Sequence, residues 1–207
     1  GAALNYLYNE IGYKRLSNKN IQKFSYLGPS FNNDEIKNYL DIYGFKYKKY
    51  NKSELYKKIS VNLQNQKVLG LFQSNMEFGP RALGNRSIIA DPRNIEMQKN
   101  LNLKIKFRES FRPFAPIVMY EKASEWFEIT DENPYMLITS HLKDSKRVNL
   151  TNNEKNVLGL EKLNIKRSEI PSVTHVDYSA RIQTVTKETN TFLYNVLNEF
   201  YKDTSCP

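Results

Sequence analysis

One stretch, residues 76–93, constrains the fold of this chain more than any other part of its sequence. It reads Met-Glu-Phe-Gly-Pro-Arg-Ala-Leu-Gly-Asn-Arg-Ser-Ile-Ile-Ala-Asp-Pro-Arg, and its glycines and prolines predict turns in place of a long helix or strand. Five of the nine arginines lie between positions 81 and 112, a window that holds only three of the 22 lysines. Because the planar guanidinium group matches carboxylate and phosphate better than an ammonium group does, this choice of arginine predicts an anion site.

The composition limits the class of protein. The 207 residues are enough for one sizeable core and a second small unit. No apolar run approaches the ~20 residues of a membrane span, and the start of the chain lacks a signal-peptide pattern, so no membrane partner is expected. A single cysteine, Cys206, excludes an intramolecular disulfide and a cysteine-based zinc cage. A reducing, cytoplasmic location is therefore expected, and the missing initiator Met suggests a piece of a longer protein.

The net charge of +9 points to an acidic ligand. Such a balance suits a nucleic acid, a nucleotide or another anion. The alternative is a compositional bias that produces lysine-rich solvated faces. The arginines cluster at predicted turns instead of forming a long basic stripe, which favours a small anion over RNA.

The hydrophobic pattern predicts alternating helices and strands. Helices are predicted at 1–16, from Asn32 or Asn33 to Gly44, from Ser53 to Leu63, and at 93–103, 121–129 and 189–201. Strands are predicted at 45–50, 68–72 (a buried one), 87–90, 117–119, 135–141 and 173–185. Residues 17–25 read as a polar linker, Arg81–Leu83 as a short helical turn, and 142–168 as a loop with a little helix. The mixture predicts an α/β or α+β domain of roughly 180 residues.

The first candidate constellation is Arg81, Asn85, Arg86 and Ser87. A turn followed by a short helix presents free backbone N–H groups, and adjacent arginines add charge, so the set suits a phosphate. The alternative is a structural turn in which Arg81 pairs with Glu77, or Arg86 with Asp91.

The second constellation is Lys104, Lys106, Arg108 and Arg112. In an extended segment the first three would share one face and repel each other unless an anion lay there. The alternative is a solvated basic edge that blunts aggregation.

The third constellation follows Thr174. In a strand, His175, Asp177, Ser179, Arg181 and Gln183 would share one face, which suggests the wall of a pocket. The alternative is the solvent face of an edge strand. Because the chain has two histidines and one cysteine, a metal site built from this chain alone is not expected.

Three ordered motifs resemble the signature of the O-carbamoyltransferases of antibiotic and nodulation-factor biosynthesis. They are Met76 to Ile88, Lys106-Phe107-Arg108-Glu109 with Phe111 to Pro116, and Val173 to Asp177 with Ala180 to Val185. The resemblance implies a YrdC/Sua5-like domain at 26–207, with a twisted mixed sheet and flanking helices. Residues 1–25 would then be the end of a preceding Kae1-like domain and a linker.

The same resemblance implies an activity. The family makes a carbamoyl adenylate from carbamoyl phosphate and ATP (with Mg²⁺), and then transfers the carbamoyl group to a hydroxyl in the Kae1-like domain. Iron or another metal would lie only in that domain. Catalytic roles are implied for Lys106, Arg108, Arg112 and His175. Binding roles are implied for Arg81, Asn85, Arg86, Ser87, Thr174, Asp177 and Arg181.

Two departures from the family pattern leave alternatives open. The family has Gly-Arg before Met76, whereas this chain has Ser74-Asn75. It also has Ser205 where the family has Gly, and it ends at Pro207, so a domain truncated at its C-terminus is expected. The alternatives are a YrdC-like basic RNA-binding module and an inactive, truncated carbamoyltransferase fragment.

Overall fold

The computed structural model describes residues 1–14 and 25–207, a mixture of helices and short strands. The helices are α1 (Ala2–Asn5, continued by a π-helical turn at Tyr6–Glu10), α2 (Asn33–Ile42), α3 (Lys52–Gln64), α4 (Met97–Lys104), α5 (Tyr120–Trp126), α6 (Asn152–Lys155) and α7 (Thr191–Thr204). The strands are β1 (Leu69–Phe72), β2 (Arg86–Ile89), β3 (Ile117–Met119), β4 (Thr139–His141), β5 (Ser179–Arg181) and β6 (Gln183–Val185). The predicted mixed α/β class is confirmed.

The predicted linker at 17–25 lies almost wholly outside the described residues, and the predicted domain boundary stays a prediction. No helix in the described part of the chain is long and apolar enough to cross a membrane.

Asparagine caps begin the helices α2 and α3. The side chain of Asn32 accepts the backbone N–H of Glu35, whose carboxylate accepts the N–H of Asn32 in return. Asn51 and Glu54 form the same reciprocal pair at the start of α3. Each pair satisfies backbone donors that have no partner inside the helix. The predicted helix after Asn32 is therefore confirmed, and the second begins close to its predicted start.

The described strands pair in three two-stranded ladders. β1 and β2 are antiparallel, with Leu69 opposite Ile89, so the loop between them carries residues 76–85, the first part of the stretch singled out above. β3 and β6 are parallel, with Val118 opposite Thr184. β4 and β5 are antiparallel, with Ser140 opposite Ala180. The extended segment 179–185 thus passes from one ladder to another, and helices α3 and α7 pack against each other beside them.

The buried core lies between these ladders and the two long helices. It comprises Ile59, Leu63, Val118, Ala123, Trp126, Phe127, Leu142, Ile170, Val173, Ala180, Ile182, Val196, Phe200 and Cys206. Asn190 caps α7 by accepting the backbone N–H of Leu193, and this places the apolar face of α7 on the core.

Two predicted elements near the N-terminal half are wrong. Residues 45–50 alternate aromatic and lysine side chains but form no strand, and Phe45 and Tyr47 are exposed. Alternation alone does not make a strand, because a strand needs a partner for its backbone groups. The run 68–72 does form a strand, but it is an edge whose Gly70 and Phe72 are exposed, not a buried one.

The predicted helical turn at Arg81–Leu83 is also wrong. The backbone N–H of Leu83 is bonded to the carboxylate of Glu77, so a side chain takes the place of the helical acceptor. The helix predicted at 93–103 begins only at Met97, because the side chain of Asn94 accepts the N–H of Glu96 and makes a turn first.

The common face predicted for Lys104, Lys106 and Arg108 does not form. Lys104 is the last residue of α4, and Phe107 has a φ of 48°, so this segment is a turn and not a strand. The extended segment predicted at 173–185 is interrupted in the same way by a turn at 176–178, where Tyr178 has a φ of 65°. The strand predicted at 135–141 is confined to Thr139–His141.

Candidate functional site

A buried carboxylate organises the loop at residues 73–85, which joins β1 to β2 and is called the signature loop below. One oxygen of Glu77 accepts the backbone N–H groups of Leu83 at 2.7 Å, Asn85 at 2.8 Å and Arg86 at 3.3 Å. Burial alone would raise the pKa of Glu77, but these backbone donors together hold that pKa below its usual value. Glu77 is therefore an ionised clasp that closes the loop.

A neighbouring turn holds the other side of the signature loop. The N–H of Gly28 bonds to the carbonyl of Met76, and the N–H of Met76 bonds to the carbonyl of Pro29, both at 2.9 Å. The side chain of Asn75 donates to the carbonyl of Gly28 at 3.1 Å. The residue that stands where the resembled family has arginine is thus used to brace this turn.

A network of amide side chains ties the loop to the rest of the domain. Asn85 is 1% exposed, donates to the carbonyl of Asn75 and accepts from Asn190 at 2.8 Å. Gln73 donates to the carbonyl of Gly84 and to Asn190, the residue that caps α7. Asn85 was predicted to bind substrate, but here its side chain is taken up by the protein itself.

Gly84 allows this close approach of the loop to α7. Its φ is 104°, and a Cβ at this position would collide with Cδ2 of Leu193. Gly84 is required for both reasons, since side chains rarely adopt that backbone conformation and no space is left for one.

The guanidinium group of Arg86 is bound by backbone carbonyls. It donates to those of Gln73, Ser74 and Asn85, with a longer bond of 3.4 Å to Pro29. Its plane lies over the ring of Phe72 at 3.6 Å. The predicted alternative, a pair with Asp91, does not form.

Asp91 instead binds the guanidinium group of Arg93 with both of its oxygens. Ser87, the other predicted binding residue of this motif, accepts the N–H of Gly84 at 2.9 Å. The predicted phosphate role of Arg86 and Ser87 stays a prediction, and the contacts seen here are structural.

Two arginines of the predicted site, Arg81 and Arg181, lie close enough for their charges to interact. Arg81 is exposed at the tip of the signature loop and has no ion pair or hydrogen bond with the described residues; in particular it does not pair with Glu77. Arg181 is half-buried at the end of β5. Burial, and then the positive charge of nearby Arg81, lower the pKa of the Arg181 guanidinium. Two neighbouring cations without a carboxylate between them repel each other unless an anion joins them.

Two buried side-chain atoms on this stretch of the chain have no hydrogen-bond partner among the residues that the structure describes. They are Nε of Arg181 and Oε1 of Gln183, two residues further along the chain. The amide nitrogen of Gln183 donates to the carbonyl of Leu83 at 2.8 Å, which fixes the orientation of its side chain. Unsatisfied buried polar atoms are rare in proteins, and these two are one donor and one acceptor that stay unpaired among the described residues.

His175 and Asp177 lie on the turn that leads to Arg181. Nδ1 of His175 is 2.9 Å from the hydroxyl of Ser179, and Asp177 accepts the N–H of Ser179 at 2.9 Å. Burial lowers the pKa of His175, aided by the charge of Arg181 and opposed by Asp177. His175 is therefore a neutral imidazole at neutral pH.

Thr174, also predicted to bind substrate, is buried. Its hydroxyl donates to the carbonyl of Ile170 and lies 2.8 Å from the hydroxyl of Ser168.

The second basic group lies on the loop between α4 and β3. Arg108 donates to Asn102 at 2.7 Å and lies over the ring of Phe114. Arg112 pairs with Glu109 at 2.9 Å, with both side chains about half exposed. Lys106 is exposed.

The structure gives no bond that joins these three cations to Arg81 or Arg181 among the described residues. The segment that follows these cations and the segment that follows Arg181 are joined by a backbone hydrogen bond, in which the N–H of Gln183 donates to the carbonyl of Pro116 at 2.9 Å.

Comparison with known proteins identifies the family. Residues 60–207 match the family model described as carbamoyltransferase C-terminus. The chain belongs to this family. It is 48% identical to the uncharacterized protein sll1178 of Synechocystis in an alignment of 209 positions that covers all of this chain and 34% of sll1178. It is 43% identical over 148 residues to the nodulation protein NolO of Bradyrhizobium diazoefficiens, covering 70% of this chain and 23% of NolO.

A third relative, the uncharacterized protein MJ1051 of Methanocaldococcus jannaschii, is 31% identical over 201 residues, 94% of this chain and 34% of that protein. The chain thus spans about a third or less of the length of these relatives, which leaves room in them for a separate N-terminal domain.

Sequence reasoning missed the residues that shape this carbamoyltransferase-family site. Glu77 was considered only as a partner for Arg81, and Gln73 and Asn190 were not considered. A signal was available for Glu77, since an acid inside a glycine- and proline-rich loop often accepts the free N–H groups of its own turns. No such signal marks Gln73 or Asn190, which lie far apart in sequence and meet only in the fold.

In the described part of the chain, no group of three or more His, Cys, Asp or Glu residues lies close enough together to hold a metal ion.

Proposed function

We propose that this chain is the part of a carbamoyltransferase that binds ATP and carbamoyl phosphate and forms a carbamoyl adenylate. The pair Arg81 and Arg181 carries the proposal, because two cations whose charges interact fit a phosphate ligand when neither has a carboxylate partner among the described residues. Membership of the carbamoyltransferase C-terminus family supports the carbamoyl group as the second feature of that ligand.

A carbamoyl group complements the two unpartnered atoms. Its carbonyl oxygen accepts a hydrogen bond and its NH₂ group donates one. Nε of Arg181 is a donor and Oε1 of Gln183 is an acceptor, and both are buried without a hydrogen-bond partner in the described part of the chain. An acyl phosphate that lacks the NH₂ group would leave Oε1 unsatisfied, so this pair favours carbamoyl over acetyl phosphate.

The remaining predicted residues are assigned to the phosphates and to positioning. Arg81 and Arg181 would neutralise the phosphate next to the carbamoyl group. Lys106, Arg108 and Arg112 would meet the triphosphate of ATP, and Mg²⁺ would be held largely by the phosphate oxygens of the nucleotide. Neutral His175 would donate or accept a hydrogen bond at the reacting carbamoyl group. Such a site acts by positioning and by charge neutralisation at phosphorus.

The atom balance defines the products. An adenylate forms when a carbamate oxygen attacks the α-phosphorus of ATP, which breaks the α–β phosphoanhydride bond and releases pyrophosphate. Carbamate itself arises when carbamoyl phosphate loses inorganic phosphate to water. We therefore expect one pyrophosphate and one phosphate for each carbamoyl adenylate. The acceptor hydroxyl, and iron or another metal, are assigned to the preceding Kae1-like domain that the resemblance implies, in a cytoplasmic protein.

The test is pyrophosphate release from ATP and Mg²⁺ with and without carbamoyl phosphate. We expect release that depends on carbamoyl phosphate, is not supported by acetyl phosphate, and falls at least tenfold in Arg81→Ala and Arg181→Ala. The control is Lys187→Ala, which removes an equal charge from an exposed side chain elsewhere. Calorimetry with ATP and with carbamoyl phosphate separates lost binding from lost chemistry.

The proposal fails if the protein binds neither ligand and releases no pyrophosphate. Equal release with acetyl phosphate would refute the role of Gln183 while leaving the arginines as a phosphate site.

A further inference from the structure

Helix α2 and the segment that follows it expose a row of aromatic rings. The ring centroids of Tyr39 and Tyr43 are 4.6 Å apart, and those of Tyr43 and Phe45 are 6.5 Å apart. These side chains are 57%, 63% and 56% exposed, and α2 has no buried residue. Exposed single apolar residues are ordinary, but neighbouring aromatic rings left in water mark an interaction surface.

Lysines are interleaved with these rings. Residues 39–58 contain six lysines and two acids, Asp41 and Glu54. The carboxylate of Glu54 is used by the capping box of α3, and that of Asp41 pairs with Lys37 at 2.7 Å, so neither has an ion pair with these six lysines. Lys48 and Lys58 lie over the ring of Tyr50 at 5.1 and 5.8 Å. Lys46 and Lys49 are exposed and have no ion pair with the described residues.

Exposed aromatic rings next to lysines limit the kinds of molecule that could bind this surface. A lysine-rich face that only keeps the protein hydrated has no need of exposed rings beside the charges. A purely apolar partner would bury the rings but would also have to cover unpaired lysines, which costs free energy. A strand of nucleic acid satisfies both groups, since its bases stack on aromatic rings and its phosphates meet the lysines.

We propose that this surface, formed by Tyr39, Tyr43, Phe45, Lys46, Lys48 and Lys49, binds single-stranded nucleic acid. It shares no residue with the site around Arg81 and Arg181, so the proposal goes beyond the proposed carbamoyl chemistry. The two sites differ in the cation they use. The planar guanidinium group of arginine suits a small anion such as phosphate, whereas flexible lysine side chains suit a long polyanion.

The test is fluorescence anisotropy with labelled 12-nucleotide oligo(U) and oligo(dT) at low salt, followed by a salt titration. We expect binding that weakens steeply with salt. Lys46→Ala/Lys48→Ala/Lys49→Ala should weaken binding at least tenfold and make the salt dependence shallower. Tyr43→Ala, which leaves the charge unchanged, should weaken it about fivefold. The matched control is Lys155→Ala/Lys166→Ala/Lys187→Ala, which removes the same charge from exposed lysines elsewhere and should keep most of the affinity.

The oligo(U) and oligo(dT) arms show whether the strand is RNA or DNA, and tight binding of either supports the proposal. Absence of binding to both at low salt overturns it. Equal losses in the two triple variants also overturn it, because the attraction would then be to net charge alone. Concentration-dependent dimers that disappear in Tyr43→Ala, without oligonucleotide binding, would show that a second copy covers these rings instead.

Discussion

The carboxylate of Glu77 accepts the backbone N–H of Asn85 at 2.8 Å, across eight residues of the signature loop. The same oxygen also holds the N–H groups of Leu83 and Arg86. A single buried acid therefore shapes the turn from which Arg81 extends.

Glu77→Gln should weaken this clasp while keeping an oxygen acceptor. Hydrogen bonds to a charged acceptor are about twice as strong as neutral ones, so we expect a loss of about 2 kcal/mol in the free energy of unfolding, measured by urea denaturation at pH 7. Glu132→Gln, an exposed control, should change it by less than about 0.5 kcal/mol.

The effect of Glu77→Gln should also depend on pH. The pKa of Glu77 is lowered in the fold, so its stabilisation is present above the unfolded pKa of about 4.3 and is lost as the pH falls through the folded value. The difference between wild type and variant should therefore shrink in acid. An unchanged difference between pH 7 and pH 3.5 would contradict an ionised clasp.

Gly84→Ala should destabilise the domain strongly. The new Cβ would meet the side chain of Leu193, and the backbone conformation of Gly84 is strained for any side chain. We expect a loss of about 3 kcal/mol in urea denaturation. Gly70→Ala is the control, because a Cβ there has nothing within 4 Å and no positive φ. Similar losses in the two variants would refute the close packing of the loop on α7.

Arg181→Met should separate stability from binding. Removing the guanidinium group removes a buried donor without a partner and a charge close to Arg81. We expect an unchanged or higher Tm together with at least tenfold weaker binding of ATP or carbamoyl phosphate by calorimetry. A fall in Tm with unchanged binding would assign Arg181 to the scaffold.

Arg86→Lys tests the structural reading of Arg86. A lysine cannot replace the bonds to several carbonyls and the stacking on Phe72 at once. We expect a loss of about 2 kcal/mol in the free energy of unfolding. Arg112→Lys, in a half-exposed ion pair with Glu109, should cost less than about 0.5 kcal/mol. If Arg86→Lys leaves stability unchanged and weakens only ligand binding, the predicted binding role of Arg86 is favoured.

Cys206 should be inert to thiol reagents in the folded protein. Burial raises the pKa of its thiol to about 12, so the thiolate that reacts is scarce at pH 8. Reaction with a chromogenic disulfide should be slow in buffer and become fast in denaturing urea. Rapid reaction in buffer would show that the C-terminal residues leave the core.

Local sequence signals predicted a good part of this fold. The predicted cap at Asn32 acts within a few residues of its partner, and the apolar run at Ile117–Met119 does form a strand. The second helix, predicted from Ser53, is capped by Asn51 instead. Predictions failed where a distant contact overrode the local pattern. Residues 45–50 were predicted as a strand but pair with no strand in the described part of the chain. The helical turn predicted at 81–83 does not form, and the N–H of Leu83 donates to the carboxylate of Glu77.

From the residues alone one can predict an arginine-rich loop after β1 and recognise the motifs of a carbamoyltransferase C-terminal domain. Which of those arginines is free of partners among the described residues follows from the fold. Arg86 donates to carbonyls of its own loop. Arg81 has no hydrogen bond or ion pair with the described residues, and its charge acts on Arg181, which lies on a strand a hundred residues further along the chain. The charge of a side chain is a property of the residue type and can be seen in the sequence. Its hydrogen bonds and ion pairs depend on groups that folding brings together from distant parts of the chain.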